Sequence, residues 1–92
     1  MIRVVDARYV SEYRVWLRFN DGLEGVVDLR TELHGEVFEP LREIEAFRSL
    51  RLDPATHTIT WPTGADLAPE HLHDLVRAVP NHALQPTGSA GG

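Results

Sequence analysis

Arg14, Trp16 and Arg18 alternate along one short apolar stretch of this 92-residue chain. If Tyr13, Val15, Leu17 and Phe19 face a core, Trp16 stands on the opposite face between two arginines. Trp and Arg are the side chains most often found at protein-binding hot spots, and an Arg-Trp-Arg stripe can also stack on nucleic-acid bases. The structural alternative is that Trp16 packs under a helix or against Val26 on its own face, with the arginine stems covering it. Asp66, in Trp61-Pro62-Thr63-Gly64-Ala65-Asp66, is the second candidate for a binding residue. It either accepts backbone N–H groups in the turn ahead of the last helix or serves as a functional carboxylate in a pocket beside Trp61. His71 and His73 invite a metal, but residues two apart on a helix point about 200° from each other, so one ion does not take both. His34 and His57 lie in turns. The chain has no Cys, Ser11, Ser49 and Ser89 sit in no nucleophile elbow, and no glycine-rich phosphate loop opens a helix. No catalytic residue, cofactor or metal is therefore expected, and the chain reads as a non-enzyme.

Three features of the chain limit the partners. The net charge is −5, with nine Arg and no Lys against fourteen acids. That balance argues against direct nucleic-acid binding, which rests on phosphate contacts. The acidic surplus is uneven: residues 1–30 balance, and the excess lies in the middle and last thirds. No apolar run approaches the roughly 20 residues of a membrane-spanning helix, and Met1-Ile2-Arg3-Val4-Val5-Asp6 is no signal peptide. Together with the absence of Cys, this sets the expectation of a cytoplasmic protein with no membrane association.

The elements that hold these residues are legible in outline. Ile2 to Val10 is rich in strand formers. Tyr13 to Phe19 and Leu23 to Leu29 alternate with period two on either side of Asn20-Asp21-Gly22. A two-residue turn would set Val15 against Asp28, an apolar face on a charged one. A three-residue turn pairs Phe19 with Leu23, Leu17 with Gly25 and Val15 with Val27, and Gly22 supplies its left-handed residue. By the same parity Val5, Ala7 and Tyr9 join the apolar face, which completes a meander.

Phe38, Leu41, Ile44, Phe47 and Leu50 recur every third residue and drift around a straight helix. A short turn followed by a second short helix is expected, with Pro40 in a first turn. Arg51-Leu52-Asp53 and Thr58-Ile59-Thr60-Trp61 form a hairpin. A final helix from Pro69 to Val79 presents Leu72, Leu75, Val76 and Val79 on one face, without a polar cap at Ala68. The fold class is α+β, a β-meander, helix, β-hairpin and C-terminal helix, with about five strands in one curved antiparallel sheet. The expected core is Val5, Val15, Leu17, Phe19, Val27, Leu41, Phe47, Leu52, Ile59, Leu72, Leu75 and Val76. Residues 1–80 form one domain, and 81–92, polar and rich in Gly and Pro, a disordered tail.

Several of these segments together resemble a small bacterial family, the domain of unknown function family 2442. The resemblance rests on Phe38-Glu39-Pro40-Leu41, on Phe47 ahead of Arg51-Leu52-Asp53, and above all on Thr58-Ile59-Thr60-Trp61-Pro62-Thr63-Gly64-Ala65-Asp66-Leu67. It covers about residues 1–76 and implies the same order of elements, with no established activity. Among relatives the domain either precedes a helix-turn-helix domain or is encoded beside a small toxin-like protein. Little sequence follows Val79, so the resemblance points to the second context. It implies an antitoxin-like protein-interaction or regulatory module whose partner is encoded by a neighbouring gene. A homo-oligomer, a small ligand-binding domain or enzyme using Trp61 to Asp66, and a transcription-associated regulator in a larger assembly are the alternatives.

Overall fold

The computed structural model describes residues 1–79, so the expected tail over 81–92 lies outside the described residues. Strands β1 (Val4–Ser11), β2 (Arg14–Phe19) and β3 (Glu24–Asp28) form an antiparallel meander in that order. A 3-10 turn (Arg30–Glu32), a second one (Glu39–Arg42) and the short helix α1 (Ile44–Phe47) follow. A hairpin of β4 (Arg51–Asp53) and β5 (Thr58–Thr60) leads to α2 (Pro69–Ala78). No helix among the described residues is long and apolar enough to cross a membrane.

The β2–β3 register is the one the alternation demands. Val15 lies opposite Val27 and Leu17 opposite Gly25. The turn is closed by a Phe19 N–H to Leu23 carbonyl bond of 2.8 Å, with Gly22 at φ +93°. A side chain there would strain the backbone. The paired arrangement in the middle of the chain also forms as two pieces. Pro40 occupies the start of the 3-10 turn, and Glu43 is extended (φ −78°, ψ 124°), which separates that turn from α1.

Two expectations fail. Val5 is not in the core; Val4 is. Val4 lies opposite Phe19 while Asp6 lies opposite Arg18, so β1 carries one extra residue there. That bulge reverses the parity upstream of it. Val4 is buried and Val5 is 44% exposed, while Ala7 and Tyr9 stay on the core face. The five strands also do not form one sheet. The hairpin is a separate two-stranded sheet. It meets β1 through its turn, where Val4 N–H donates to the His57 carbonyl at 2.9 Å. Strands of three residues joined to β1 at a turn carry no ladder across.

The core lies where the inner face of the meander, α1, the hairpin and α2 meet. Phe19, Phe47, Leu41, Ile59, Leu72 and Val76 are fully buried in it, and Leu52 and Leu75 pack at its margin. Leu29, Leu33, Trp61 and Ala65 join it as well. Trp61 is 3% exposed. Its indole N–H donates to the Phe47 carbonyl at 2.9 Å, and its ring packs on Phe47 and Phe38 at centroid distances of 5.7 and 6.4 Å. Just beyond it, Gly64 (φ +93°) turns the chain so that Trp61 N–H reaches the Ala65 carbonyl at 3.0 Å. Thr58, the one buried polar residue among those described, donates its hydroxyl to the Leu67 carbonyl at 2.5 Å.

Trp61→Ala removes a buried ring and its hydrogen bond, at an expected cost of about 3–5 kcal/mol. Trp61→Phe keeps most of the packing and leaves the Phe47 carbonyl its Leu50 N–H partner at 3.3 Å, for a cost of roughly 1–2 kcal/mol. Denaturant unfolding of the two variants measures both. A loss below about 1 kcal/mol in Trp61→Ala would show that the core does not depend on this residue.

Candidate functional site

The outward face of the meander is set by the same pleat that fills the core. Val15, Leu17 and Phe19 point in, so Arg14, Trp16 and Arg18 point out. Trp16 lies opposite Arg8 on β1 and Val26 on β3. Val26 is 40% exposed. Trp16 itself is half-buried by its neighbours on this face.

The guanidinium groups of Arg8 and Arg18 stand 5.5 and 5.9 Å from the Trp16 ring centroid. Asp6 reaches both of them, at 3.8 Å from Arg8 and 4.0 Å from Arg18. The indole N–H donates to Glu24 Oε1 at 3.3 Å. Each exposed cation–π contact is worth about 0.5–1 kcal/mol, and each exposed ion pair less. Together they hold a flat aromatic in one orientation. The group carries two positive and two negative side chains around an uncharged ring.

Of the four residues singled out from the sequence, Trp16 and Arg18 come together here. Arg14 does not join them. It donates to Ser11 Oγ at 3.2 Å and lies 4.0 Å from Glu12. The missing member is Arg8. The alternation that puts Ala7 and Tyr9 inside puts Arg8 outside and opposite Trp16, so its placement was available from pairing parity. Asp66 is elsewhere: it is exposed, and its backbone bridges to Thr60. Its side chain makes no hydrogen bond among the described residues, and the N–H of Ala65 is taken instead by Thr63 Oγ1 at 3.4 Å. Trp61 is buried under Phe38 and Phe47 while Asp66 faces outward. The two therefore do not line a common cleft.

The histidines of α2 act as tethers. His71 Nε2 is 2.8 Å from Glu32 Oε1, and His73 Nε2 is 2.8 Å from Asp21 Oδ2. His73 also meets the Phe19 ring at 4.9 Å. The divergence that keeps one ion from taking both rings lets α2 grip the β2–β3 turn with one and the first 3-10 turn with the other. Among the described residues, no three His, Asp or Glu side chains form a group able to hold a metal ion.

A family model described as a protein of unknown function (DUF2442) matches residues 4–78 of the chain. No curated protein and no solved structure matches it.

Asp21 carries a pH dependence. The Leu23 N–H it accepts at 3.0 Å and the His73 ring hold its carboxyl below the usual 3.8. A lowered native value means that the ionised form stabilises the fold above about pH 3.8. This stabilisation fades as pH falls through the native value. Asp21→Asn keeps the turn-closing oxygen and removes the charge. Denaturant midpoints measured across the acid range should fall less steeply below pH 3.8 in Asp21→Asn than in the parent. Identical acid limbs would show that Asp21 is not tied to the fold in this way.

Proposed function

The chain belongs to the DUF2442 family, whose description names no activity, and we propose that it is a non-enzymatic protein-interaction module that binds through the outward face of its meander. The observation that carries this reading is Trp16, held flat between Arg8 and Arg18 on the face turned away from the core. A large aromatic fixed in place before binding loses little side-chain freedom when a partner covers it. An arginine pair on either side offers planar, bidentate donors to a partner's carboxylates or carbonyls.

A protein fits this face better than a nucleic acid does. Asp6 and Glu24 balance Arg8 and Arg18, so the cluster presents no net positive charge to a phosphate backbone, and the chain as a whole is at −5. The partner class is the one implied by the resemblance read from the sequence. A small toxin-like protein encoded by the neighbouring gene is the one proposed, with this chain in the antitoxin-like role. A cytoplasmic setting and the absence of a cofactor belong to the same reading.

Trp16→Ala is the test. The side chain is half-buried on a surface, so its removal should cost about 1 kcal/mol of stability. The same change should weaken the complex with the co-expressed neighbouring gene product by 2 kcal/mol or more, about thirtyfold, if Trp16 anchors the interface. Denaturant unfolding gives the first number, and calorimetric titration of folded parent and variant gives the second. Unchanged affinity, or a stability loss as large as that of Trp61→Ala, would remove the basis of this assignment.

A further inference from the structure

On a different side of the sheet from Trp16, the chain leaves the β1–β2 turn and the two 3-10 turns around an open depression of 440 Å³. Tyr13, Arg30, Leu33 and Arg42 line it. Its two arginines come from separate elements and are held in different ways. Arg42 donates through Nε to the Leu33 carbonyl at 2.9 Å, and its own carbonyl accepts the Tyr13 hydroxyl. Both ends of the residue are thereby fixed, and its terminal nitrogens pair with no carboxylate among the described residues. Arg30 lies over the Tyr13 ring, 5.1 Å from its centroid. Its Nη2 is 3.3 Å from Glu12 Oε1, an oxygen that also lies 4.0 Å from Arg14.

The local charge is unusual for this chain. Of the two arginines that line the depression, Arg30 has Glu12 as its partner, with Asp28 accepting the Arg30 backbone N–H at 2.9 Å, and Arg42 has no carboxylate partner among the described residues. One unpaired guanidinium thus lines the depression in a protein of net charge −5. The floor beneath it is apolar: Leu33 is buried, and Tyr13 packs edge-on against Phe47 at 5.3 Å. Fixed guanidinium donors favour a planar oxyanion taken by two parallel N–H bonds. One unpaired guanidinium matches a monoanion, and an apolar floor rewards an apolar body attached to it.

The geometry points to a binding site for a carboxylate carried on an apolar or aromatic body, with Arg42 as the fork that takes the carboxylate and Tyr13, backed by buried Leu33, as the surface that takes the body. Arg30 flanks the site and raises its potential. The carboxylate can belong to a free small acid or to the C-terminus of a peptide, and both present the same group. This site is independent of the face around Trp16, and neither assignment depends on the other.

The probes are benzoate, a tripeptide ending in Phe and inorganic phosphate. Each is titrated into the full chain while the arginine Nε–H signals are followed by NMR. Benzoate or the tripeptide should shift the Arg42 and Arg30 signals to saturation, and the tighter of the two identifies the source of the carboxylate. Arg42→Gln should weaken binding by about tenfold or more, because it removes a charge-assisted pair. Arg42→Lys, which keeps the charge without the fork, should lose most of that affinity too. Absence of a saturable shift in the parent would overturn the assignment, whether or not the variants fold. So would phosphate binding as tightly as benzoate, or full affinity in folded Arg42→Gln.

Discussion

The indole N–H of Trp61, donating to the carbonyl of Phe47 at 2.9 Å in the interior, is the contact on which the rest of this small structure depends. It ties the end of β5 to the end of α1, two elements of three and four residues that have little stability of their own. The ring then fills the space between Phe38 and Phe47. The turn after it, set by Gly64, brings Ala65 inside and directs the chain toward α2. A domain of this length buries a limited area, so each large buried ring carries a large share of its stability.

The meander is stabilised differently, by long ladders and a continuous apolar face. This leaves its outer side free to carry residues chosen for something other than folding. Trp16 and Trp61 thereby separate into two jobs. One ring is enclosed by aromatics, with its N–H on a backbone carbonyl. The other lies on the surface, flanked by guanidinium groups, with its N–H on a carboxylate. The first kind of environment rewards packing. The second costs little to lose in the free protein, and the proposed interface needs that property. The anion site lies in a third place, where loops rather than strands meet. Arg42 is positioned there by the Leu33 carbonyl, and Arg30 by the Tyr13 ring and Glu12.

Local rules made much of this legible in the sequence. The β2–β3 register follows from matching apolar faces, and Gly22 takes the conformation the turn requires. Pro40 and the three-residue spacing announce a broken helical segment, and Pro69 opens α2. What escaped were features decided by tertiary context. A bulge at Val5 is one inserted residue, and strand composition on either side is the same whether Val4 or Val5 faces in. Leu33 and Ala65 enter the core from irregular chain, where no periodicity marks them, whereas Leu29 continues the alternation of Val27. His71 and His73 look like solvated residues until the turns carrying Glu32 and Asp21 are seen beside α2. Arg8 was readable from parity, whereas the departure of Arg14 toward Ser11 and Glu12 was not. Asp66 attracted notice because of its motif, but the motif's conformational work is done by Gly64 and Thr63.

With two tryptophans in the chain, one experiment compares the two environments directly. Hydrogen exchange of the two indole N–H groups, read as two resolved NMR signals in deuterated buffer, reports how each is released. The Trp61 signal should persist and exchange only with the slowest backbone amides, because freeing it requires opening the core. The Trp16 signal should vanish early, through local motion at the surface. Comparable, rapid exchange of both would contradict the account, since Trp61 would then be no part of what holds the domain together.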